Sequence, residues 1–311
     1  RILEVSDYGA MVFAMLINGF VNQVSSLGYE IYYLKYKNDL DKHKVLQHVA
    51  FLRIITNFFL FLIQIIIGFY LLMINKNTVG YIVILSSFSL IINGFNAPKE
   101  AFLKNEFNFK YISISKIIME LSSSLFKVIG AICGLGAIIF GIGPLMGNLI
   151  KFIYLNSKIK INFYNFKFKK FFYKPILSFG SKNLFSSIGV YTIQQIDKMF
   201  LTTFYTANLV GLYSFAWTQA TMPLNYLLYP QDQVILTYIT KFKAGEKQLY
   251  NDLFTFQRII IVLIIPIYIV INLFAYDIVL YIYTEKWLMA VEIIKMWILY
   301  HSFSIFMMPF S

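Results

Sequence analysis

Residues 45–98 read VLQHVAFLRIITNFFLFLIQIIIGFYLLMINKNTVGYIVILSSFSLIINGFNAP. Two apolar stretches, 45–74 and 78–98, are separated only by Asn75, Lys76 and Asn77. A helix rises about 1.5 Å per residue, so each stretch can cross the roughly 30 Å hydrocarbon core of a bilayer. The flanks orient the pair. Lys35, Lys37, Lys42 and Lys44 precede it, and Lys99, Lys104 and Lys110 follow it, whereas the tip holds Lys76 alone. Cytoplasmic connections carry the Lys/Arg excess, so the tip is expected outside and both flanks inside.

Extended outward, this reading gives nine spans: 8–34, 45–74, 78–98, 112–137, 141–157, 176–203, 208–238, 252–276 and 289–311. The 151–175 connection adds Lys151, Lys158, Lys160, Lys167, Lys169, Lys170 and Lys174, and the 239–250 connection adds Lys241, Lys243 and Lys247. Seventeen lysines thus occupy one set of connections, against Lys76 and Lys286 in the alternate set. The short span 141–157 keeps the basic 151–175 segment on the cytoplasmic side. The expected fold is an all-α membrane protein, a polytopic bundle of about nine transmembrane helices with the residue 1 end extracytoplasmic. The chain opens at Arg1 in a polar connection and stops at Ser311 within an apolar helix, so a longer parent chain is expected.

The longest polar stretch, 156–175 (NSKIKINFYNFKFKKFFYKP), alternates basic and aromatic residues and reads as a linker lying along cytoplasmic headgroups. It divides the chain into an N-terminal bundle (1–155) and a C-terminal bundle (176–311). A weak repeat links the two at an offset of 202: Asp7-Tyr8-Gly9-Ala10 recurs as Leu209-Val210-Gly211-Leu212, and Phe13-Ala14 as Phe215-Ala216. Internal repeats of helix bundles point to transporters, with the substrate between the halves.

Composition removes other classes. Mean hydropathy is +0.66, and charged residues make up 14%, where soluble domains carry about a quarter. The net charge of +12 lies in loops, where topology and anionic lipid account for it, so no nucleic-acid partner is expected. Cys133 is the single cysteine, and His43, His48 and His301 are scattered, so no metal site or cofactor is expected. A membrane enzyme would need an acid–base cluster or a sizeable outward loop, and neither is present in the sequence.

Five spans carry polar stripes at helical spacing, the mark of a face turned to protein or to a water-filled cavity. The first has Asn18, Asn22, Ser25 and Tyr29; the second Arg53, Asn57 and Gln64; the fourth Lys116, Glu120, Ser123 and Lys127. The sixth has Asn183, Ser187, Tyr191, Gln194 and Lys198, with Asp197 adjacent; the seventh has Ser214, Thr218, Thr221 and Asn225. Small polar residues also glue membrane helices together, so the charges carry more weight. A mid-membrane charge costs about 2.5–3.5 kcal/mol even on lenient scales. Lys127, about 22 Å along its expected span, is read as facing an aqueous cavity. Arg53 and Lys182 lie one to two turns in. Pro266 is expected to kink the eighth span.

Arg1-x-Leu3-x-x-x-Asp7-Tyr8-Gly9 resembles the second helix of Wzx-type polysaccharide flippases, of the multidrug/oligosaccharidyl-lipid/polysaccharide (MATE-like) exporter superfamily. Ser178-Phe179-Gly180-x-Lys182, Gln195-Ile196-Asp197-Lys198 and Val210-Gly211-Leu212-Tyr213-Ser214-x-Ala216 resemble its seventh and eighth helices, and Tyr283-x-x-Lys286-Trp287-x-x-Ala290 its tenth-helix entrance. The chain then resembles helices 2 to 10 of a 12- to 14-helix transporter with two pseudo-repeated halves. The resemblance implies a flippase for undecaprenyl-diphosphate-linked oligosaccharide in the cytoplasmic membrane, working by alternating access through a cationic central cavity. It implies Lys127, Arg53, Lys182, Asn22, Gln194 and Asn225 as cavity candidates. It also implies Asp197 as an ion-coupling candidate for a proton or sodium ion. Expected partners are membrane lipid, the polyprenyl-diphosphate-linked glycan and other polysaccharide-assembly membrane proteins. A cation-coupled multidrug exporter of the same superfamily is the alternative.

Overall fold

The computed structural model describes residues 4–36, 39–159, 170–227 and 246–307. Among them every regular element is helical, so the all-α expectation holds. Their order is α1 (Val5–Ser26), α2 (Tyr29–Lys35), α3 (Asp39–Met73), α4 (Asn77–Asn105) and α5 (Phe109–Ile132), then α6 (Ile139–Lys158). There follow α7 (Lys170–Phe204), α8 (Ala207–Leu227), α9 (Glu246–Leu273), α10 (Ala275–Ile278) and α11 (Val291–Met307). Most of the basic linker, Pro230, Lys241 and Lys243 lie outside the described residues.

The deciding hairpin forms as read. α3 ends in a Schellman turn: Lys76 N–H donates to Leu71 O at 2.9 Å and Asn75 N–H to Leu72 O at 3.1 Å, with Asn75 at φ 60°. α3 and α4 then cross where Gly68 faces Gly80. A Cβ on Gly80 would stand 3.0 Å from Gly68 O, so the backbones approach as closely as small-residue contacts allow. The outer face of α3 is apolar: Ile66 is 67% exposed and Met73 83%. Its inner face holds Asn57 and Gln64, both fully buried. Apolar outside and polar inside is the arrangement of a helix solvated by lipid.

Five stretches among the described residues are long and apolar enough to span a bilayer: Val5–Lys35, Asp41–Met73, Asn77–Asn105, Gly136–Lys158 and Glu285–Ile305. Gln257–Leu273 with Ala275–Tyr283 makes a sixth if that bent pair is one span. The chain is a multi-pass membrane protein. Rods occupy all nine expected places among the described residues, but α5, α7 and α8 are too polar to meet that standard, so nine crossings are more than the helices themselves establish.

Four details of the sequence reading change. The first span is two helices, broken where Leu27 (φ 41°) and Gly28 (φ 68°) turn left-handed. The fourth ends at Ile132 rather than 137, because Gly134 (φ 76°) forms a second Schellman turn, with Leu135 N–H to Gly130 O at 3.0 Å and Gly134 N–H to Ala131 O at 3.2 Å. The eighth runs through Pro266 without interruption, and the chain bends by 75° at Phe274 instead. Finally, Lys99 and Lys151 are not loop residues: they lie inside α4 and α6, 4% and 6% exposed.

The chain divides into two compact units. The first contains residues 10–205, so α7 clusters with α1–α6. The second contains residues 206–311 together with 3–9. In the second, Leu212, Phe215, Ala216, Ile264, Tyr268, Trp287 and Ile294 form one apolar core, which Val5 joins. There α1 starts against α8 through a reciprocal contact. A Cβ on Gly9 would fall 1.8 Å from Ala207 O, and a Cβ on Gly211 would fall 2.3 Å from Val5 O. These are the two glycines of the repeat, and Val5 and Ala207 are separated by the same 202 positions.

Candidate functional site

The first unit has a half-open cavity of about 560 Å³. α1 contributes Met15, Asn18, Gly19 and Asn22; α3 contributes Arg53 and Gln64. α4 contributes Ser86, Ser89, Leu90 and Asn93, and α6 Phe140, Pro144, Asn148 and Lys151, with Met119 from α5. Helical spacing explains the convergence. Asn18 and Asn22 are one turn apart, Ser86, Ser89 and Asn93 follow i, i+3, i+7, and Pro144, Asn148 and Lys151 follow i, i+4, i+7, so each set shares one face.

One wall is a fixed network. Gln64 Nε2 donates to Asn18 Oδ1 at 2.5 Å, to Ser86 Oγ at 3.0 Å and to Val83 O at 3.2 Å, and Ser86 Oγ donates to Asn18 Oδ1 at 2.8 Å. Buried polar networks of this kind hold helices in register where lipid cannot satisfy them. Behind it, Asn57 Nδ2 donates to Leu90 O at 2.7 Å beside Gly94.

The other wall carries two cations, Arg53 and Lys151, each met by a carboxylate. Arg53 is 5% exposed; its Nη1 donates to Ser25 O and its Nε stands 3.4 Å from Glu30 Oε1. Lys151 pairs with Glu100, the side chains being 8% and 16% exposed. Burial makes pairing obligatory, since an isolated charge in this setting costs several kcal/mol. Lys99, also buried, donates to Asn156 Oδ1 and lies 4.8 Å over the Phe152 ring.

Of the residues singled out in the sequence, Asn22 and Arg53 line this cavity together with Asn18 and Gln64. Lys127 does not. Its stem lies across Gly143, where a Cβ would come within 2.6 Å of Lys127 Cγ. It stands five residues before Ile132, about 7.5 Å from that end of α5, so its ammonium can reach an interface. Lys116 and Glu120, on the same stripe, are exposed.

Lys182 and Gln194 are exposed on α7, and Asn225 is exposed on α8. What α7 buries is a different pair. Asn183 fills the space beside Gly28, and Tyr191 covers Gly19 and donates to Leu16 O at 2.7 Å. Asp197 is half-buried beside Lys198, whose Nζ donates to Gln195 Oε1 at 3.2 Å.

Sequence reasoning missed the contributions of α4 and α6. Ser86, Ser89 and Asn93 were a stripe in plain view at helical spacing, diluted by the apolar residues between them. Lys151 was hidden because the span containing it was drawn to end near it, which made the lysine look like part of a connection.

The comparisons with known proteins agree with this architecture. The model of a family described as polysaccharide biosynthesis protein matches residues 1–292. A solved structure described as the inward-facing conformation of a multidrug resistance MATE family transporter of the MOP superfamily is similar, with a TM-score of 0.70. It is 13% identical, and the match covers 97% of this chain and 75% of that one. The fold is therefore MATE-like. No curated protein matches the sequence.

Proposed function

Because the chain belongs to the polysaccharide biosynthesis protein family, we propose that it moves undecaprenyl-diphosphate-linked oligosaccharide across the cytoplasmic membrane by alternating access. One observation carries the reading: a large cavity walled by carboxamides lies inside helices whose outer faces are apolar. A lipid-linked glycan has a head too polar to cross hydrocarbon and a tail too apolar to leave it. A polar chamber within a lipid-solvated bundle answers both. The family and the MATE-like fold support a transporter reading.

Where transport is coupled to a proton or sodium ion, Asp197 is our candidate for binding it. Lys127 and Lys182 would serve the diphosphate along its route. The carrier lipid and other polysaccharide-assembly membrane proteins are the partners this implies. A cation-coupled multidrug exporter is the second reading, because the structural neighbour is described as a multidrug resistance transporter. An organic cation would call for carboxylates on the cavity wall, and Asp and Glu are missing from the residues that line it.

Deletion of the gene tests the proposal. The expected outcome is accumulation of lipid-linked glycan on the cytoplasmic face and loss of surface polysaccharide. Normal surface polysaccharide with raised sensitivity to cationic drugs would replace this reading with the exporter.

A further inference from the structure

The cavity of the first unit presents almost no uncompensated charge. Arg53 faces Glu30 and Lys151 faces Glu100, so an anion entering here would have to part both pairs and meet two carboxylates behind them. What remains open is neutral. Asn22 and Asn93 reach the cavity and hydrogen-bond to nothing else among the described residues. Carboxamides that reach a cavity without an internal partner are the groups that can meet a ligand's own donors and acceptors.

The chemistry of the wall selects the ligand. A carboxamide offers both donors and acceptors, which suits hydroxyl and acetamido groups. Phe140, Pro144 and Met119 give the same cavity flat apolar ground, which suits the C–H faces of a sugar ring. The volume lies within the range of about 300–1,000 Å³ usual for small-ligand sites. We propose that this cavity is a subsite for an uncharged sugar unit bearing hydroxyl or acetamido groups, and that the diphosphate is held elsewhere. The assignment rests on the translocation reading and sharpens it, because it moves Arg53 from phosphate ligand to structural partner of Glu30.

The test is calorimetric titration of the full-length protein in detergent with three probes: N,N′-diacetylchitobiose, digalacturonic acid and inorganic pyrophosphate. The neutral disaccharide should bind at least about tenfold more tightly than either anion. Asn93→Ala, at a half-buried position with no internal partner, should fold normally and weaken that binding about fivefold. Asn93→Lys should reverse the order of the probes. A cysteine at position 93, in a Cys133→Ala background, should be shielded from a thiol reagent by the neutral probe alone. Equal or tighter binding of digalacturonate or pyrophosphate overturns the proposal, as does failure of the neutral probe to bind or to respond to Asn93→Ala. If these fail while deletion still abolishes surface polysaccharide, only the neutral-sugar assignment falls. If deletion leaves the polysaccharide intact, the translocation reading itself is lost.

Discussion

Replacing Glu100 with leucine strands the ammonium of Lys151 between α4 and α6. The pair is buried, with side chains 16% and 8% exposed, so solvent screens it little. Breaking such a pair by deleting one partner typically costs about 3–5 kcal/mol, because the remaining charge has lost its compensation. Glu100→Leu should therefore cost about 4 kcal/mol. Glu100→Gln keeps an acceptor for the ammonium, and hydrogen bonds to charged groups are worth about 1.5–3 kcal/mol, so its cost should fall to about 2 kcal/mol. The double variant Glu100→Leu/Lys151→Met removes both charges and should return to within about 1 kcal/mol of the parent. Thermal denaturation in detergent reads all three. At about 2–4 °C per kcal/mol, Glu100→Leu should lose about 8–16 °C and Glu100→Gln about half of that. A loss under about 1 kcal/mol for Glu100→Leu would refute the claim that the pair is buried and unscreened. A double variant as unstable as the single would show that Glu100 acts through some contact other than Lys151.

Four further outcomes follow from the same geometry. Gly147→Leu should destabilise the protein by about 1–3 kcal/mol or more, measured as a fall in Tm, because its Cβ would stand 2.6 Å from Met119 O on α5. Tyr191→Phe deletes the 2.7 Å bond to Leu16 O and should cost about 1 kcal/mol by the same assay while leaving α7 packed over Gly19. If Asp197 couples an ion, Asp197→Asn should flatten the dependence of transport on pH or sodium without preventing membrane insertion; an unchanged dependence would reduce it to a neighbour of Lys198. Single cysteines at 40, 105, 165 and 245 should resist an impermeant outside reagent and those at 76, 140, 206 and 283 should react, and labelling at 165 would invert the lysine argument.

The hairpin was legible because length and hydropathy act on whole segments. About twenty apolar residues between lysine-rich flanks admit few other structures in a cell. The ends were less so. Gly28, Gly134 and Phe274 stop or bend helices through backbone angles, whereas Pro266, the expected kink, is absorbed into α9 without a break. The cavity was half legible. Asn18, Asn22, Arg53 and Gln64 lie on stripes that the period reveals. The polar stripe of α5 was equally clear, yet it turns away from the cavity and leaves Met119 facing it. Periodicity identifies a polar face but does not say what that face meets. The partners of the cations were out of reach for the same reason: Glu30 and Glu100 come from other helices, and their pairing with Arg53 and Lys151 exists only once α2, α3, α4 and α6 are packed.

The crossing of α1 and α8 has the logic of a homodimer fused into one chain. Gly9 rests on the carbonyl of Ala207 and Gly211 on that of Val5, so the contact is isologous: exchanging the partners reproduces it. Neither glycine can acquire a side chain without displacing the backbone of the other helix in the same crossing, so the two positions are constrained together. The shared register also carries comparison inward. Advancing 202 positions from Asn18 and Asn22 leads to Ala220 and Leu224, both buried in the apolar core of the second unit. Where one copy keeps two carboxamides facing open space, the other has closed the corresponding positions with hydrocarbon. The repeat is symmetric at its two glycines and asymmetric at these positions, so on the reading proposed above only one copy would offer carboxamides to a ligand.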